Sequence, residues 1–176
     1  MRVVAGSHRG RTLHAPVGRA TRPTQDRVRE AVFSALTDVD GTRVLDLYAG
    51  SGALAIEALS RGAASASVVD TSPAAIAAIT RNARELGLTL EVRHQSAEAF
   101  LARARRERRQ YDLVFVDPPY GRASGLRDRI SAALSPVLAP QARVVVESDI
   151  RASLALDLAL VFERNYGDTL IRIYGT

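Results

Sequence analysis

From residue 43 onward, short apolar runs rich in β-branched residues alternate with alanine- and leucine-rich stretches of helical length. That alternation is the pattern of a doubly wound α/β sheet, because each intervening helix carries the chain back to start a parallel neighbouring strand. Strands are expected at 43–48 (RVLDLY), 65–70 (SASVVD), 89–93 (TLEVR), 111–116 (YDLVFV) and 142–147 (ARVVVE), with helices at about 52–61, 73–86, 96–109 and 124–135. Gly62 and Gly87 sit just past two of these helices, and Ser72-Pro73 supplies a cap and a first-turn proline to one of them. Near the C-terminus, 158–165 and 169–174 flank Tyr166-Gly167-Asp168, which reads as a hairpin. An antiparallel pair therefore closes an otherwise parallel sheet.

The first 37 residues are different in kind. They hold seven arginines (2, 9, 11, 19, 22, 27 and 29) against Asp26 and Glu30, which accounts for the whole formal charge of +5. A charge confined to one segment points to a polyanionic partner held there. Val3-Val4 and Thr12-Leu13 flank Gly6-Ser7-His8-Arg9-Gly10, the outline of a small hairpin with an arginine-rich turn. Residues 1–20 are read as this basic extension and 21–176 as the main domain. A helix capped by Thr24 is expected to run to about Leu36, with Val28, Ala31, Val32, Ala35 and Leu36 facing the sheet and Arg22, Arg27 and Arg29 outward. The chain has no cysteine and three histidines, so thiolate zinc is excluded and a metal site is not expected. No apolar stretch approaches a membrane span, and a monomeric, cytoplasmic protein is expected.

Two loops carry the chemistry. Leu45-Asp46-Leu47-Tyr48-Ala49-Gly50-Ser51-Gly52 joins the first strand to a helix, and glycines there let the backbone turn sharply against a ligand. Gly50-Ser51-Gly52-Ala53-Leu54-Ala55 satisfies the dinucleotide pattern, with Asp70 placed 20 residues after Gly50 for ribose hydroxyls. The pattern alone serves a nicotinamide cofactor or S-adenosylmethionine equally well. Asp46, inside a core strand, favours the second, because a sulfonium and an ammonium suit nearby carboxylates better than a pyrophosphate does; Asp46 could instead hold backbone amides of the loop. The second loop is Asp117-Pro118-Pro119-Tyr120. Two prolines present carbonyl acceptors without N–H donors, Asp117 adds a carboxylate, and Tyr120 adds an aromatic face, together a platform for a planar amine. Pro-Pro can also serve merely to end a strand. In a doubly wound sheet, however, both loops open into one crevice at the carboxyl ends of the strands, where the winding reverses.

These loops resemble class I S-adenosylmethionine-dependent methyltransferases of the D/N-P-P-Y/F type. Together with Gly6, Arg9-Gly10-Arg11, Arg22-Pro23-Thr24, Asp26-Arg27-Val28-Arg29-Glu30 and Glu57 through Ala63, they resemble the RsmD family of 16S ribosomal RNA guanine-N2 methyltransferases over nearly the whole chain. The resemblance implies a Rossmann-like α/β fold with a seven-stranded, mostly parallel sheet and a reversed last strand, plus the N-terminal hairpin. It implies transfer of a methyl group to a guanine in 16S rRNA, within a 30S subunit or an assembly intermediate. Asp117, Pro118, Pro119 and Tyr120 would be catalytic. Asp46, Tyr48, Ala49, Gly50, Ser51, Gly52, Asp70, Thr71, Ser96 and Ala97 would hold S-adenosylmethionine. Arg9, Arg11, Arg22, Thr24, Arg27, Arg29 and Arg122 would meet RNA, with Arg127 nearby and His8 in the arginine-rich turn. The run Arg103, Arg105, Arg106, Arg108 and Arg109 is read as a solvated face on the far edge. An amino-methyltransferase for another RNA site or for DNA, a nicotinamide-dependent oxidoreductase and a catalytically dead RNA-binding protein remain open on the residues alone.

Overall fold

A computed structural model describes residues 1–17, 26–36, 38–118 and 126–176. Helix α1 (Asp26–Leu36) precedes a regular succession of β1 (Arg43–Leu47), α2 (Ala53–Ser60), β2 (Ser65–Asp70), α3 (Pro73–Leu86), β3 (Glu91–His94), α4 (Ala97–Arg106), β4 (Tyr111–Val116) and α5 (Leu126–Leu134). The chain ends with β5 (Leu138–Asp149), β6 (Ala159–Tyr166) and β7 (Thr169–Gly175). The seven strands form one sheet in the order β3-β2-β1-β4-β5-β7-β6. All pairings from β3 to β5 are parallel, and β7 runs antiparallel to both β5 and β6. The winding runs outward from β1 to β3, then restarts on the other side of β1 with β4. The crevice predicted for the two motifs therefore lies between β1 and β4.

Parallel strands covered on both faces should be apolar throughout, and β1 obeys this at Val44, Leu45 and Leu47, all fully buried. Strand alternation sends Val44, Val68, Phe115 and Val145 to the face covered by α1 and α2, where Val32, Phe33, Leu54 and Ala58 complete a core. Leu47, Val69, Val116 and Val146 point to the other face, under α4 and α5 with Phe100, Leu101, Ile130 and Leu134. β3 begins two residues later than the sequence suggests, pairing only with β2 at the sheet edge. β5 is longer than expected because Leu138 already pairs with Tyr111, before a register shift between Tyr111 and Leu113. Helix α4 stops at Arg106 rather than 109, with Arg108 in a left-handed conformation (φ 53°). That turn brings Arg109 back to Glu91 and over the rings of Phe100 and Tyr111.

The N-terminal hairpin is reduced to one antiparallel bridge, Arg2 to Thr12. Its position is set instead by α2 and α3. The buried Glu57 carboxylate accepts hydrogen bonds from the backbone N–H of Val4 (2.7 Å) and Ala5 (2.9 Å), and it pairs with Arg61 (2.8 Å). Ser60 donates to the Ala5 carbonyl at 2.6 Å and accepts from the His8 N–H at 2.9 Å. At Gly6 (φ 80°) a Cβ would lie 1.7 Å from the Ser60 carbonyl oxygen, so only glycine admits this approach. Val3 and Leu13 then pack on Ala53, Ile56 and Leu86. Removing the Glu57 carboxylate leaves two half-buried N–H groups and the Arg61 guanidinium without it. Glu57→Ala should destabilise the chain by about 3 kcal/mol, lowering Tm by roughly 10 °C in calorimetry and opening residues 1–17 to proteolysis before the rest.

Candidate active site

At the carboxyl ends of the central strands, four acidic side chains share the α1/α2 face of the sheet. Register sets them: Leu47 of β1 lies beside Val69 and Val116, and Val116 beside Val146, so the residues that follow, Tyr48, Asp70, Asp117 and Glu147, stand level with one another. Asp46 sits one layer deeper, beside Val68 and Phe115. Asp46 is 2% exposed and accepts one hydrogen bond, from the N–H of Ala55 in the first turn of α2 (3.2 Å). Burial outweighs that bond and, with the charge of Asp70 adding to it, pushes the Asp46 carboxyl up to about 7. Asp117 is partly exposed, and its carboxyl is raised well above the usual carboxylate range by desolvation, then by Glu147 and Asp46.

The alternative role for Asp46, holding backbone amides of the glycine loop, falls at Gly50 to another acid. Asp70, not Asp46, accepts from the Gly50 N–H (2.9 Å), while its second oxygen accepts from Ser72 N–H (2.8 Å). Tyr48 has φ 63°, uncommon for a residue with a Cβ, and this reversal turns its ring to the α4/α5 core. Gly50 (φ 57°) has its Cβ direction open, its nearest neighbour being the Tyr48 carbonyl at 4.0 Å, so a ligand can lie directly on the backbone there. Ser51 and Gly52 are buried beneath the loop. The loop is also tied to the N-terminal arm: buried Asn82 of α3 donates to the carbonyls of Ser51 and His14, both at 3.0 Å, and accepts from His14 N–H at 2.8 Å. Thr71 lies exposed with its carbonyl accepting from His94, and Ser96 caps α4 by accepting from Ala99 N–H at 3.2 Å, with Ala97 buried behind it.

Several expected contacts change role. Arg29 is fully buried rather than outward, paired with Asp26 at 2.9 Å, near Glu57 at 3.7 Å and donating to the Arg2 carbonyl. It fastens α1 to the N-terminal arm and cannot present its charge to RNA. His8 has both ring nitrogens engaged within the chain, Nδ1 with Ser7 Oγ (2.8 Å) and Nε2 with the Leu86 carbonyl (3.1 Å), which removes it as an RNA contact. Arg9, Arg11 and Arg27 are exposed. Pro119, Tyr120, Arg22, Thr24 and Arg122 lie outside the described residues, as does the side chain of Arg127. Of the far-edge run, Arg103 pairs with Glu107 and Arg109 with Glu91, while Arg105, Arg106 and Arg108 are exposed. A cavity of about 740 Å³ lies at the opposite, amino ends of the strands, lined by Val39, Thr42, Asp112, Pro140 and Arg143 among others, away from both motifs.

The residues present suit a cationic ligand. Gly50 is open for close approach, and Asp46, Asp70, Asp117 and Glu147 together would repel a pyrophosphate. The protein-family model described as "Conserved hypothetical protein 95" matches residues 1–175. The chain belongs to that family. It is 35% identical over 181 residues to the Ribosomal RNA small subunit methyltransferase D of Escherichia coli K12, covering 99% of this chain and 89% of that one. YlbH of Bacillus subtilis 168 is 37% identical over 185 residues, covering 99% and 98%. The solved structure of Escherichia coli yhhF matches with a TM-score of 0.84 at 32% identity, over 99% of this chain and 97% of that one. Family membership covers the N-terminal arm together with the sheet. Asn82 and Glu147 are the site-shaping residues that motif spacing did not single out, while Glu57 stood in a motif of the resemblance without a role assigned to it.

The raised Asp46 group fixes the sign of one pH effect. The folded chain keeps a proton on Asp46 that the unfolded chain, with an ordinary carboxylate, releases near pH 4. Stability without ligand should therefore fall as pH rises from about 4 to about 7, by at most on the order of 4 kcal/mol, with Asp117 adding in the same direction. Denaturant melts at several pH values check this, and Asp46→Asn should flatten the decline.

Proposed function

We propose that this protein transfers the methyl group of S-adenosylmethionine to the exocyclic N2 of a guanine in small-subunit ribosomal RNA. The observation that carries this reading is the level placement of Asp117 beside the glycine-loop crevice between β1 and β4. Membership of a family whose relatives include a small-subunit rRNA methyltransferase supports it. The substrate is proposed to be a 30S subunit or an assembly intermediate, approached by the monomer in the cytoplasm, with residues 1–20 as the RNA-binding extension. Exposed Arg9, Arg11 and Arg27, joined by Arg22, Thr24 and Arg122, would take phosphates, where arginine forks suit the geometry.

A guanine amine is a weak nucleophile because its lone pair is delocalised into the ring, so the protein's task is orientation. Asp117 and the Pro118 carbonyl accept hydrogen bonds from the two amine hydrogens, which turns the lone pair out of conjugation and toward the methyl donor. Tyr120, by the family pattern, would supply the aromatic face for the extruded base. S-adenosylmethionine, when bound, supplies an electrophilic methyl on a sulfonium that leaves as a thioether. Methyl transfer would leave the amine cationic, and Asp117 or water would take its extra proton. Asp70 and the Gly50 backbone would hold the cofactor's ribose side, and Asp46 would offset its positive charge. Fixing both reactants in line lowers the barrier by on the order of 7 kcal/mol.

Labelled methyl transfer to small ribosomal subunits lacking the modification, followed by mapping of the modified base, tests the reading. Asp117→Ala should lower turnover on the order of 1000-fold while leaving cofactor affinity by calorimetry within a few-fold and stability equal or higher, since a crowded acid is removed. Unchanged turnover in that variant would sink the assignment.

A further inference from the structure

Glu147 is a buried carboxylate, 8% exposed, at the carboxyl end of β5. β5 lies between β4 and β7, with Val145 beside Phe115, Val146 beside Val116, and Glu147 itself beside Ile171. Because Phe115 and Val145 share the α1/α2 core, Asp117 and Glu147, each two residues further, rise on that same face from neighbouring strands about 4.8 Å apart. Of the charges acting on Asp117, that of Glu147 weighs most. The two carboxyl groups give this part of the crevice a pair of acceptors side by side, and a carboxylate has sites for more than one donor.

Holding an amine needs only Asp117 and the Pro118 carbonyl. A second acceptor one strand over has a use when the ring atom next to the amine also carries a hydrogen. Among the nucleobases this is a property of guanine: its N1–H adjoins the N2 amine, whereas the ring nitrogens beside the amines of adenine and cytosine are acceptors. A carboxylate facing those nitrogens would set lone pair against lone pair. Glutamate, one methylene longer than aspartate, has the reach to take the more distant donor. We propose that Glu147 accepts the N1–H of the target guanine while Asp117 holds its N2 amine, making Glu147 a specificity-determining residue that admits guanine and rejects adenine and cytosine. This rests on the guanine-N2 reading above.

The test uses small ribosomal subunits reconstituted with RNA carrying either guanine or 2-aminopurine at the nucleotide that the protein methylates. 2-Aminopurine keeps the amine but turns N1 from donor to acceptor. The wild-type chain should favour guanine on the order of 100-fold in kcat/KM. Glu147→Gln, whose amide can turn an N–H toward a bare N1, should narrow that preference to within about tenfold. Glu147→Asp should work more slowly yet keep it. Equal use of the two bases by the wild-type chain, a Gln variant with undiminished preference, or an Asp variant as indifferent as the Gln variant each overturns the proposal. The wild-type ratio decides the matter even where a variant fails to fold, which melting and cofactor calorimetry reveal. Absence of methyl transfer to guanine by the wild-type chain would instead remove the underlying guanine-N2 reading.

Discussion

A carboxylic acid in the middle of a parallel core strand is the constraint around which the rest of this molecule is arranged. Asp46 stands where an apolar residue is expected in β1, inside the sheet, and among the described residues it accepts a hydrogen bond at the start of α2. Above it stand Asp70, Asp117 and Glu147, contributed by three different strands at one level. Burial and crowding raise the Asp46 and Asp117 carboxyls, a cost to the free protein wherever they must be charged. The persistence of the cluster is intelligible if the crevice is built to receive positive charge and hydrogen-bond donors together, as a sulfonium cofactor and a guanine edge would supply them. The unfavourable electrostatics of the free protein become complementarity in the complex.

The N-terminal arm belongs to the same arrangement. Glu57, on α2, fixes the backbone of Val4 and Ala5, and α2 begins where Asp46 accepts from Ala55. Asn82 spans from His14 to the Ser51 carbonyl, so one buried amide binds the arm to the glycine loop. The arm that carries Arg9 and Arg11 is thus held beside the cofactor loop by groups buried in the main domain. The arginine-bearing arm and the glycine loop share one rigid support, with Arg29 closing the contact to α1.

Much of this was legible in the sequence because parallel α/β units write their order locally: α3 was read with its observed bounds from Ser72-Pro73 and Gly87, and the antiparallel closure from Tyr166-Gly167-Asp168. Asp46 and Asp117 were legible because an acid in or after an apolar run conflicts with burial. Arg29 was not. Its helical position marks it as outward, yet the arm folds over that face and supplies the Arg2 carbonyl, while Glu57 of α2 stands near it and Asp26 pairs with it from one turn earlier; the arm and α2 reach it from afar and leave no local signature. Glu57 and Asn82 look like ordinary polar helix residues until the arm is placed against them. Glu147 ends a strand in the usual way, and only strand order sets it beside Asp117. His8 carries no local sign of its partner either, since the Leu86 carbonyl that takes its ring N–H is remote in sequence.

The central claim is that cationic cofactor relieves the buried acids of this crevice. It predicts a measurable proton count. Near pH 6 the Asp46 carboxyl, raised to about 7, is largely protonated in the free protein, and a neighbouring positive charge should lower it and expel that proton. Calorimetric titration with S-adenosylmethionine at about pH 6, in buffers of different ionisation enthalpy, reads the number directly. The account predicts net proton release that is reduced in Asp46→Asn and smaller for S-adenosylhomocysteine, which lacks the sulfonium charge. Binding without proton release, or with the same release in Asp46→Asn, would contradict it.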